Sequence, residues 1–123
     1  MLIDTHAHLD FPDFANDLED VLRRAEEADV RRIITIGTSI ESSRRAIELA
    51  ERYPFVYAAI GVHPSHVEEA EDDVITPLRE LARNSRVVAI GETGLDYHRL
   101  PSEKVAKEKQ VQVMTATFSL GKR

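Results

Sequence analysis

Two histidines one residue apart, His6 and His8, close an apolar opening stretch, Leu2-Ile3-Asp4-Thr5. If that stretch is a strand, residues i and i+2 point the same way, so both imidazoles address one point. Two nitrogen donors at one point are what a strand end can offer a divalent cation. A carboxylate would complete such a set, and Glu92 directly follows another apolar run, Val87-Val88-Ala89-Ile90-Gly91. A glutamate there can bridge two metal ions, which the histidines cannot do. His63 stands in a similar place, after Gly61-Val62 and directly before Pro64. The proline ring biases the preceding residue toward extended backbone, which aims the imidazole of His63 at the same end of the sheet. Each residue also has a plainer reading: exposed strand positions for the histidine pair, a cap for Glu92, a turn for His63. Asp4 and Asp10 flank the pair and could orient an imidazole as outer acceptors, or Asp10 could simply cap a turn before Pro12. His66 and His98 are weaker candidates, His66 because it precedes an acidic stretch, Glu68 to Asp73, that reads as a solvated face.

The elements needed to position these residues are legible as alternating patterns. Four apolar runs, Leu2 to Thr5, Arg32 to Gly37, Phe55 to Val62 and Val87 to Gly91, read as strands buried on both faces. Between them, Leu18, Val21, Leu22, Ala25 and Ala28 recur at helical spacing, as do Ala46, Ile47, Ala50 and Tyr53. Thr38-Ser39-Ile40-Glu41 resembles a capping box for the second helix, and Thr76-Pro77 offers an N-cap and first position for the third. A fourth helix is expected from about Ser102, with Val111, Met114 and Phe118 on one side. The order βαβαβαβα calls for a parallel α/β sheet with right-handed crossovers. His6, His8, His63 and Glu92 all follow strand ends, where barrel active sites are built, and no glycine-rich phosphate loop follows the first strand. The expectation is the N-terminal half of a (β/α)8 TIM barrel. A full barrel needs about 250 residues, so residues 1–123 form one partial domain of four β/α units, stopped in its fourth helix.

Composition narrows the function classes. A hydrophobic share of 42% and a charged share of 31% describe a soluble globular chain. The absence of cysteine removes disulfides, thiolate metal sites and a cysteine nucleophile. A net charge of −6 argues against a surface that coats nucleic acid, but not against an enzyme that meets phosphate through bound cations. No signal peptide or membrane-spanning run is recognisable, and the expected location is cytoplasmic.

Three motifs, DTHAHLD (Asp4 to Asp10), AIGVHP (Ala59 to Pro64) and AIGETGLDYH (Ala89 to His98), occur in order. In these the chain resembles the TatD family of metal-dependent deoxyribonucleases, among the amidohydrolase-like barrels. Gln110, Met114, Phe118 and Leu120 fit the family's next helix. The resemblance implies a TIM barrel that cleaves DNA phosphodiester bonds, often as an exonuclease, with two divalent ions (Mg, Mn or Zn). It implies that His6 and His8 hold one ion, that Glu92 bridges both, and that His63 faces a substrate phosphate. The family draws two further histidines and a water-activating aspartate from the second half of the barrel, so no catalytic base is assigned within these residues. DNA is the implied partner, with no membrane, and the open barrel edges imply self-association. Other readings are a metal hydrolase of another ester or phosphoester, a non-catalytic fragment or interaction module, and an incomplete gene product.

Overall fold

A computed structural model describes residues 1–98 and 103–121. The chain runs β1 (Leu2–Ala7), α1 (Leu18–Glu27), β2 (Val30–Ile36), α2 (Ile40–Arg52), β3 (Val56–Ile60), α3 (Ile75–Leu81), β4 (Val87–Ile90) and α4 (Glu103–Phe118), with short 3-10 turns at Pro12–Phe14, Pro64–His66 and Ser119–Gly121. All three strand pairings are parallel and the sheet order is β1-β2-β3-β4. Sequential parallel order with helical crossovers is how the first half of a βα barrel is wound. The expected α/β topology is therefore the observed one.

The core lies between the sheet and the helices. Leu22 of α1, Ala46, Ile47 and Ala50 of α2 and Leu78 of α3 are buried against Ile33 of β2 and Val56, Ala58 and Ile60 of β3. Burying each large aliphatic side chain contributes roughly 1.5–3 kcal/mol, which is why the three- and four-residue spacing of the helices settles which side meets the strands. A second cluster, Val62, Val67, Val74 and Val113, seats α4 against the segment that follows β3. Central β2 and β3 hold the buried positions, whereas Leu2 and Ile3 of β1 and Val88 of β4 are exposed at the edges.

Local chemistry moves two helix starts from the sequence expectation. α2 is capped by Ser39, whose hydroxyl accepts from the Ser42 amide at 3.0 Å; Glu41 is not the reciprocal partner of a box but bonds outward to Arg45. α3 begins at Ile75, one residue before the Thr76-Pro77 pair proposed as its start. The cause is Asp73, whose Oδ1 accepts from both the Ile75 and Thr76 amides at 3.0 Å. A carboxylate accepts such orphan amides better than a hydroxyl. Ser102, given as the start of the fourth helix, lies outside the described residues.

Candidate metal centre

The C-terminal ends of the strands come together through backbone contacts that only small residues allow. Gly37, after β2, lies so near α2 that a Cβ there would stand 2.7 Å from Ser43 Cα. That approach lets the Ser43 hydroxyl accept from the Gly61 amide at 3.1 Å and donate to the Gly61 carbonyl at 3.3 Å. Gly61 in turn admits the end of β4. A Cβ on Gly61 would lie 2.7 Å from both Gly91 C and Glu92 O. The ladder continues beyond the strands: the Gly91 amide donates to Ile60 O at 2.8 Å and the Glu92 amide to Gly37 O at 3.4 Å. Glu92 is thereby delivered to the mouth of the sheet by backbone packing.

There it meets the histidine pair. Glu92 Oε1 is 3.4 Å from His6 Nε2, and Glu92 Oε2 is 3.6 Å from His8 Nε2. One ligand atom from each of the three residues lies within 4.8 Å of the others, and this is the one such group of three among the described residues. Ligands about 2.0–2.2 Å from a tetrahedral or octahedral ion are about 3.0–3.5 Å apart. The two carboxylate–histidine separations are close to that size, and the remaining one is within 4.8 Å.

The proton positions suit a cation as well. His8 Nδ1 lies 3.1 Å from Ile36 O, a carbonyl that can only accept. In the neutral ring the proton therefore sits on Nδ1, and Nε2 presents a lone pair toward a carboxylate oxygen. Two acceptors facing each other at this distance gain nothing from one another, whereas a cation between them satisfies both. A backbone carbonyl behind a ligating imidazole is also the usual outer support of a metal histidine. Phe11 stacks on the His8 ring, centroids 4.7 Å apart and planes 20° from parallel, and holds its orientation. The residues present thus fit a divalent cation.

His63 has the opposite tautomer. Its Nδ1 accepts from the Ser65 amide at 3.0 Å, and a backbone amide can only donate. The Ser65 hydroxyl, 2.7 Å from the same nitrogen, donates to it too, which leaves His66 Nδ1, 3.0 Å away, as donor to Ser65. The neutral His63 ring therefore carries its proton on Nε2, a free donor suited to an anionic oxygen rather than to a cation. His63 and Glu92 line one open cavity of about 480 Å³, with Pro64, Gly91, Thr93, Gly94, Leu95 and Asp96. Thr93 Oγ1, beside Glu92, is buried with no hydrogen-bond partner among the described residues.

The flanking carboxylates do not orient an imidazole, as the sequence suggested they could. Asp4 Oδ1 accepts from the His6 backbone amide at 3.0 Å. Asp10 turns into the interior instead of capping a turn, taking the Ser42 hydroxyl at 2.8 Å and Arg45 at 3.3 Å on Oδ2. The acceptor behind His8 is the Ile36 carbonyl, a contact between adjacent strands with no side-chain signature in the sequence. His98 is exposed, and its amide donates to Asp96 Oδ1 at 3.0 Å.

A parallel half-barrel whose strand ends gather two imidazoles and a carboxylate is the architecture of a metal-dependent barrel hydrolase. The family model described as TatD related DNase matches residues 3–123, and the chain belongs to that family. It is 41% identical over 122 residues to the Uncharacterized metal-dependent hydrolase YabD of Bacillus subtilis (strain 168), covering 99% of this chain and 47% of the relative. It is 37% identical over 133 residues to human Deoxyribonuclease TATDN3, with 99% and 48% covered. The crystal structure of the TatD homologue YJJV from Escherichia coli K12 superposes with a TM-score of 0.88 at 38% identity, over 99% of this chain and 47% of that one. The chain spans about half the length of the curated relatives it matches. No helix among the described residues is long and apolar enough to cross a membrane.

Proposed function

We propose that residues 1–123 are the metal-binding N-terminal half of a TatD-type hydrolase that cleaves DNA phosphodiester bonds. The observation that carries the reading is the meeting of His6 and His8 with Glu92, which lies 84 residues beyond His8 (92 less 8), at separations that suit one cation. The DNase family match and the deoxyribonuclease among its relatives support DNA as the substrate.

His6 Nε2, His8 Nε2 and Glu92 would hold one divalent ion, of Mg, Mn or Zn type. A divalent ion bound there supplies Lewis acidity toward a phosphoryl oxygen and acidifies a bound water. Glu92 has one carboxylate oxygen toward each histidine, so either oxygen could ligate this ion, and a carboxylate that used only one of them would keep the other for a second ion. Ile36 O and Phe11 hold the His8 ring while substrate binds and leaves. His63, as an Nε2–H donor on the wall of the same cavity, would bind a phosphate oxygen and hold the scissile group toward Glu92. Together these residues orient a phosphodiester and stabilise charge that builds on its oxygens.

Mn2+ titration of the purified 123-residue chain by calorimetry tests the reading. The expected result is one ion per chain, lost in Glu92→Ala with the circular dichroism spectrum unchanged. Binding of a DNA oligonucleotide should require Mn2+ and weaken in His63→Ala. Cleavage by this polypeptide alone should be weak, because the described residues hold no second group of metal ligands. Equal Mn2+ affinity in wild type and Glu92→Ala would refute the metal centre.

A further inference from the structure

Gln110 is polar, uncharged, in the middle of α4 and only 1% exposed. A buried side-chain amide is costly unless its donors and acceptor are all matched. Here they are. Gln110 Oε1 accepts from the Asp96 amide at 2.9 Å while its Nε2 donates to the Asp96 carbonyl at 2.8 Å. The same Nε2 donates its second proton to the Pro64 carbonyl at 3.3 Å. The amide thus pairs with both backbone groups of Asp96 as a neighbouring strand would, and reaches the Pro64 carbonyl across the cavity rim.

Asp96 and Pro64 both belong to the metal centre's surroundings. Asp96 lies in the segment that follows β4, four residues after Glu92, and Pro64 directly follows His63. Both line the cavity shared by Glu92 and His63. Between Glu92 and Asp96 lies Gly94, with φ of +157° and open space where a Cβ would stand. At Glu92, backbone packing against Gly61 secures the loop; at Asp96, Gln110 does.

We propose that Gln110 is a positioning residue: it pins the Glu92 loop and the His63 turn to each other, so that carboxylate and imidazole keep their places when neither cation nor substrate is bound. The proposal rests on the metal-centre reading and adds to it the restraint that preorganises the site. Only an amide fits the role, since leucine offers no bonds, and glutamate offers Asp96 an acceptor but, when ionised, opposes two carbonyl oxygens.

The test uses the full 123-residue chain, with Mn2+ as probe, on wild type, Gln110→Leu, Gln110→Glu, Glu92→Ala and Val113→Ala. Val113 is buried on the same helix but packs in the separate valine cluster, so its truncation loosens α4 and leaves the amide's bonds in place. Loss of an outer-shell restraint typically weakens metal binding about 10–100-fold. Because Gln110 acts through the backbone, the expectation for Gln110→Leu is the lower end, roughly tenfold, measured well below the melting temperature. Val113→Ala should lower the melting temperature without changing the Mn2+ affinity, a separation that a purely structural role for Gln110 would not produce. Hydrogen exchange of the Asp96 amide should be slow in wild type and fast in Gln110→Leu, which removes its acceptor. Wild-type Mn2+ affinity in a folded Gln110→Leu, with Glu92→Ala inactive in binding, would overturn the positioning role and leave the metal centre intact. An unaffected Glu92→Ala would instead refute the metal centre, whatever Gln110 does. Should Gln110→Leu fail to fold, Gln110→Glu carries the affinity test, and rapid exchange of the Asp96 amide in folded wild type would overturn the proposal by itself.

Discussion

A single methyl group on Gly61 should weaken metal binding while leaving every ligand side chain in place. The Cβ of Gly61→Ala would lie 2.7 Å from Gly91 C and Glu92 O and 2.9 Å from Gly91 O. All three are backbone atoms, so no side chain can swing aside. Ordinary contact begins near 3.4 Å, and the difference, 3.4 less 2.7, is 0.7 Å of enforced movement at the residue that carries the carboxylate. Glu92 now stands 3.4 and 3.6 Å from the two histidine nitrogens. A constellation of this kind tolerates displacements of about 0.5 Å, and ligand distances need to match within about 0.2 Å. The expected outcomes are a destabilisation of about 1–3 kcal/mol from overpacking and Mn2+ affinity lowered at least about tenfold, as for loss of an outer support. Calorimetric Mn2+ titration beside thermal melts of wild type, Gly61→Ala and Gly121→Ala measures both. Gly121 has open space for a Cβ and should behave as wild type. Wild-type affinity in Gly61→Ala would refute the idea that close approach of β3 and β4 sets the position of Glu92.

Two further expectations concern the scaffold. The Asp73 carboxyl is held below its ordinary value of 3.8 by hydrogen bonding from the Thr76 side chain, then by the Thr76 amide, with burial acting the other way. A depressed folded pKa means its stabilisation of α3 is complete above pH 3.8 and lost as pH falls through the lower, folded value. The gap in melting temperature between wild type and Asp73→Ala should be constant near neutrality and close under acid conditions, and a pH-independent gap would contradict this. Exposed Leu2, Ile3 and Val88 on the edge strands β1 and β4, with unpaired backbone along both, should make the isolated polypeptide self-associate. Light scattering over a dilution series reads this out, and a monomer at every concentration would refute it.

Much of the fold follows from short-range pattern. Residues two apart share a strand face, and His8, one residue past the end of β1, keeps to the side of His6, their ring centroids 5.1 Å apart. The apolar runs marked both ends of all four strands to within two residues, the widest departures being β1 ending at Ala7 rather than Thr5, β2 opening at Val30 rather than Arg32 and β3 ending at Ile60 rather than Val62. The helix stripes marked the buried sides of α1 and α2 for the same reason: burial imposes a period on the chain, and a period is visible in one dimension. Helix starts were less legible, because Ser, Thr and Asp compete for the same amides. At α3 Asp73 prevailed over Thr76.

What only tertiary structure decided was which groups face each other across elements. Sequence placed Glu92 after a strand, but it was the contact between Gly61 and Gly91 that brought the carboxylate to both histidines. His6, His8 and His63 are the same residue type in similar settings. Yet the Ile36 carbonyl gives His8 a free lone pair on Nε2, and the Ser65 amide gives His63 a free proton on the same atom. Gln110 reads as an ordinary helical glutamine until its amide is seen paired with Asp96. Each of these depends on a backbone N–H or C=O supplied by another part of the chain. Every residue except proline carries both groups, so no residue type announces where they will point. Only folding gives them direction.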